Sequence, residues 1–144
     1  MALVTFTDLP STTTPINSSN LNNNFTECNN IVASGSNANG RYIKYSDGTM
    51  IEWNNMIVDD QPIDSQYGGT ILYTGTRTIT FPIAFVGSYP SCQCSHFRWG
   101  TSGSWGAVNS VSLDDCVIRG YDFFSRATGT NCYISWMAIG RWKA

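Results

Sequence analysis

Charge is scarce in this chain of 144 residues. Eight Lys plus Arg and ten Asp plus Glu make up 12% of it, about half the usual share. At a net charge of −2 no basic stripe can form. The phosphate-neutralising contacts behind nucleic-acid binding are therefore missing, and no nucleic-acid partner is expected. No apolar run approaches the ~18 residues of a membrane-spanning helix, so membrane insertion is not expected either. The first residues, MALVTFTDLPSTTTP, carry no positive start and no long apolar centre. They do not read as a secretory signal, and the chain is expected to be made and folded inside a cell. Without that signal, the acceptor patterns at Asn17 and Asn24 carry little weight.

Catalytic signatures are equally sparse. His96 is the single histidine, and no Gly-x-Ser-x-Gly elbow occurs. The adjacent pairs Asp59-Asp60 and Asp114-Asp115 would point apart on an extended chain, against the flanking geometry of glycoside hydrolysis. No enzyme is expected. The five cysteines, Cys28, Cys92, Cys94, Cys116 and Cys132, are odd in number and irregularly spaced. That argues for buried thiols over a disulfide framework. Cys92, Cys94 and His96 alternate on one strand and share a face, but ligands two apart on a strand do not converge easily on one ion. No metal and no cofactor are expected.

Aromatic residues make up 13% of the chain, beside 13 glycines and long Asn, Ser and Thr runs. This balance belongs to an all-β domain with a polar, weakly charged surface. The clearest signal is Gly40 to Trp53, where two runs of β-branched and aromatic residues flank Ser46-Asp47-Gly48. A three-residue loop with Gly48 left-handed sets Tyr45 against Thr49, Ile43 against Ile51 and Arg41 against Trp53. Ile43, Tyr45, Ile51 and Trp53 then share an apolar face, and Tyr42, Lys44, Met50 and Glu52 lie on the other.

Along the chain, residues 2–9 suit one short extended segment and 11–15 a linker. In residues 16–32, Leu21, Phe25, Cys28 and Val32 recur at spacings of 4, 3 and 4, a heptad seam. The other positions are mostly poor helix formers, and so short a helix is marginal alone. Packing against sister copies is the expected remedy, with a helix packed on its own β-domain as the alternative. Residues 34–39 read as a flexible link. Further strands are expected within 70–81, 91–99, 107–113, 117–124 and 131–142, the last with Cys132, Ile134 and Trp136 on one face. Together these predict an antiparallel β-sandwich of six to seven strands behind a short N-terminal helical oligomerisation stalk.

The order NGRYIKYSDGTMIEW, RTITFPIAF, YPSCQCS and ISWMAIGRWK, preceded by PINSSNLNNNF, resembles the C-terminal domain of bacteriophage tail-fibre and receptor-binding proteins. The resemblance implies a sandwich similar to the H-type lectins, assembled as a homotrimer on a virion that is made in the bacterial cytoplasm. It implies fold-making roles for Gly48, Trp53 and the Phe81-Pro82 bend. Residues 1–15 would attach to a virion component, 16–33 would form the trimerising helix, and 34–144 the head. The expected ligand is a host surface glycan, with Tyr67, Arg98, Trp99, Trp105 and Asp114 as candidate contacts: flat rings for sugar faces, polar groups for hydroxyls. Trp99 and Trp105 have an alternative reading as core or subunit interface. For the whole protein, a structural virion decoration without a ligand is the competing reading.

Overall fold

The computed structural model describes residues 30–98, 103–129 and 131–144, with backbone alone for 96–98. The described residues are all-β. Nine strands run in the order β1 (Ile31–Asn37), β2 (Gly40–Tyr45), β3 (Thr49–Val58), β4 (Ser65–Gln66), β5 (Tyr73–Thr80), β6 (Ser91–Arg98), β7 (Trp105–Val111), β8 (Asp115–Asp122) and β9 (Cys132–Arg141). They form two antiparallel sheets, one of five strands ordered β1-β2-β3-β9-β6 and one of four ordered β4-β5-β8-β7. The count exceeds the expected six to seven because β1 and β4 carry no strong strand signal of their own.

The β2–β3 hairpin has the expected register, with Ile43 opposite Ile51 and Arg41 opposite Trp53. Gly48 supplies the left-handed turn at φ 93°, a conformation costly for residues with a Cβ. The Asp47 carboxylate accepts the Thr49 N–H at 2.8 Å and so closes the loop. Which face turns inward is the reverse of what apolarity suggests. Met50 and Glu52 are fully buried, while Ile43, Ile51 and Trp53 face away from the second sheet. Register decides which residues share a face, and β9 decides which face meets the core. Met50, Glu52 and Met56 pair with Gly140, Ala138 and Ile134, and Ile134, Trp136 and Ala138 are the apolar inward positions of β9. Trp53 is therefore an outward, half-buried residue and not a core tryptophan.

The core lies between the sheets, built on Met50, Ile79, Phe81, Phe85, Cys116, Ile118, Cys132, Ile134 and Trp136. Phe81 meets Phe85 edge-on at 5.2 Å and tilts against Trp136 at 5.6 Å. The Phe81-Pro82 bend thus carries the chain from one sheet to the other and plugs the space between them. Backbone bonds from Phe81 and Phe85 to Asp114 and Leu113 fasten this crossover to the β7–β8 turn.

The N-terminal expectations fall partly outside the description. Leu21, Phe25 and Cys28 lie among residues 1–29, outside the described residues, as does the attachment segment 1–15. Val32 belongs to β1 and is not helical, and most of the expected link 34–39 is strand. Ser34, Gly35, Ser36 and Asn37 have weak strand propensity, and pairing with β2 overrides it. The incoming chain is fixed at one pole. The Ser46 N–H donates to the Asn30 carbonyl, Trp142 Nε1 to the Tyr45 carbonyl and Lys143 Nζ to the Ser46 carbonyl. From there β9 runs about 30 Å to the opposite pole at ~3.3 Å per residue.

Candidate functional site

At that opposite pole, the outer face of the four-stranded sheet carries a group of aromatic rings. Alternation along β8 turns Cys116, Ile118, Gly120 and Asp122 inward and leaves Val117, Arg119 and Tyr121 outward. Trp105 on β7 is the cross-strand partner of Tyr121, and their rings stack at 5.4 Å with 15° between planes. Tyr67, just after β4, meets Tyr121 edge-on at 5.7 Å, and Phe123 leans on Trp105 at 5.8 Å. The Arg119 guanidinium lies 5.7 Å from the Tyr67 ring centre. Trp105, Tyr67 and Phe123 keep 40%, 43% and 45% of their surface exposed.

The sheet beneath is built to hold this row. Gly75, Gly120 and Gly106 are aligned across β5, β8 and β7 on the inward side. The segment around Pro62 fills the room they leave: a Cβ on Gly75 would stand 1.9 Å from the Pro62 carbonyl oxygen. Gln61 and Ile63 are buried there, and Ile63 exchanges backbone bonds with Arg126. Asp122 is completely buried, accepts the Phe124 N–H at 2.9 Å and pairs with Arg126 at 3.4 Å. The end of β8 that presents Tyr121 and Phe123 is thereby fixed.

The chemistry of the patch is a set of flat apolar faces edged by a cation and hydroxyls. Arg119 Nε and Thr74 Oγ1, which stands opposite Tyr121 on β5, are buried polar atoms with no hydrogen-bond partner. Buried polar atoms of this kind normally find one. The exposed ring faces of Trp105, Tyr67 and Phe123 can stack on a flat apolar surface such as that of a sugar ring. Glu52, the buried carboxylate of the core, lies on the other sheet and takes no part. Cys92 and Cys116 form a side-chain contact between the sheets, which raises the Cys116 thiol and lowers that of Cys92.

Of the residues expected from the sequence, Tyr67 and Trp105 come together here. Trp99 and the Arg98 side chain lie outside the described residues. Asp114 does not join them. It sits in the β7–β8 turn, accepting the Ser112 hydroxyl at 2.6 Å, about 20 Å along β8 from Tyr121 at strand rise. Its role there is to shape the turn. Tyr121, Arg119 and Phe123 went unrecognised in the sequence, although they alternate along a predicted strand, the pattern that would have put all three on one face.

No family model matches this chain, and no curated protein matches it. Two solved structures do, each over 88% of its length at 26% identity. One is a P. aeruginosa R1 pyocin fibre comprising C-terminal residues, with a TM-score of 0.54, and this chain spans 32% of it. The other is an N-truncated R1-type pyocin tail fibre, with a TM-score of 0.51, spanned to 98%. The chain is built like the C-terminal part of a tail fibre. On this tail-fibre fold the aromatic patch lies at the pole away from the point where residues 1–29 join the sandwich.

Proposed function

We propose that the chain is a fibre protein of a phage particle, displayed as a homotrimer and holding host surface carbohydrate on the Trp105–Tyr121 patch. The observation that carries this reading is the stacked, half-exposed ring pair beside Arg119, on a fold similar to pyocin tail fibres. The heptad seam through Leu21, Phe25 and Cys28 supports three copies per fibre. Three weak sites per fibre and several fibres per particle give firm attachment through avidity. The fold acts here as an H-type-lectin-like platform, with no catalytic role, cofactor or metal. Residues 1–15 would join the virion component.

The test is adsorption to host cells together with intrinsic fluorescence on titration with host surface glycans. Trp105→Ala and Tyr121→Ala should each weaken glycan binding at least tenfold, about 1.4 kcal/mol, while the circular dichroism of the sandwich stays unchanged. If unmodified protein neither labels host cells nor blocks infection, the chain is a decoration of the particle. If it labels cells and both variants label them equally well, the ligand sits elsewhere.

A further inference from the structure

The outer face of the five-stranded sheet has no cover within the described residues, and its composition is not that of a solvated face. An antiparallel sheet with one wet side normally alternates apolar inward and polar outward. Here three of the five outward pairs of β3 and β9 are apolar, Ile51–Ile139, Trp53–Met137 and Ile57–Tyr133, beside the polar pairs Asn55–Ser135 and Thr49–Arg141. Ile57, Met137 and Ile139 are 60%, 37% and 39% exposed. No charged side chain stands in the three apolar pairs; Arg41 lies across from Trp53 at the start of β2, and Arg141 ends β9 opposite Thr49. A trough of about 450 Å³ crosses it, walled by Trp53 and Met137 and floored by Asn55, Ser95 and Ser135. Aromatic residues and methionine at the centre, with charge at the edge, are the anatomy of a protein interface core.

We infer that this face is the contact between copies of the chain, a reading that rests on the trimer proposed above. Two further observations select a second copy as the occupant. First, the size fits. Five strands at ~4.8 Å spacing and about eight residues in length present roughly 600 Å² of flat area, at the lower end of what specific interfaces bury per partner. Second, residues 1–29 join the sandwich at the edge of this same sheet, through Asn30 into β1. All seven residues of β1 are exposed, with the Tyr42 ring over Gly35 on one side of the strand. Copies gathered by the preceding 29 residues would meet first along this edge and face.

The test uses the full chain. Asn55→Cys places a thiol in the trough, and its maleimide labelling is compared by mass spectrometry with Ser125→Cys on an exposed loop. Asn55→Cys should label at least tenfold more slowly in the trimer, and adding Ile57→Arg and Met137→Glu should bring the two rates together. Light scattering should show the charged variant dissociating at higher concentration than the parent. Equal rates in an unmodified trimer would overturn the assignment and leave the trimer standing. Slow labelling that the two charges leave unchanged would overturn it too. A monomeric parent overturns the trimer itself, and slow labelling of that monomer would assign the face to the chain's own first 29 residues.

Discussion

Glu52 is the residue at which this fold keeps a carboxyl protonated against its ordinary tendency. Its side chain is fully buried on the inward face of β3, one oxygen accepting the Ile83 N–H at 3.0 Å and the other without a hydrogen-bond partner. Burial raises its pKa from 4.5 to about 7, against the opposing pull of the Ile83 bond and the Lys44 charge. Between about pH 4.5 and 7 the native state keeps a proton that the unfolded chain has lost. Stability attributable to this group therefore falls as pH rises through that window and is level on either side. Urea midpoints should drop between pH 4.5 and pH 8 in the parent, and Glu52→Gln should remove much of the drop while keeping an oxygen for Ile83. A variant whose midpoints fall as steeply as the parent's would move the cause to another group.

Among the elements, β5 and β8 carry the site because glycine thins the sheet beneath it. Gly75 stands against a backbone carbonyl at Pro62, which cannot swing aside as a side chain can. Gly75→Ala should therefore cost about 1–3 kcal/mol, the usual range for overpacking, read as a lower urea midpoint. Glycan affinity should fall with it, because Thr74 and Tyr121 ride on the same strands. Much of this architecture was legible in advance. The Asp-Gly turn set the β2–β3 register, and alternation placed Cys132, Ile134 and Trp136 on one face, the face that meets the core. β1 was hidden, because Ser, Gly and Asn acquire strand geometry there from a long-range partner that no local pattern announces. The inward turn of Glu52 was hidden for a related reason, since its acceptor function is met by Ile83, 31 residues away. Trp105 could be picked out as an aromatic in a loop-like context. Its partner Tyr121 could not, because cross-strand proximity follows from topology.

At the scale of the whole molecule, the two outer faces differ in kind. One presents stacked rings beside a cation, the other a broad apolar surface edged by arginines. A monomer made by Ile57→Arg and Met137→Glu keeps its ring pair intact. It should bind free oligosaccharide as tightly as the parent, while its adsorption to whole cells falls ~100-fold or more, the scale on which avidity is lost with valency. Equal losses in both assays would mean that a single site spans two subunits.

The aromatic patch and the entry of the chain occupy opposite poles, and the long strands run between them. Under the proposed attachment, any part of a pull between the poles that reaches β3 and β9 would load their ten paired positions in shear, to yield together and not one after another as in a peeling seam.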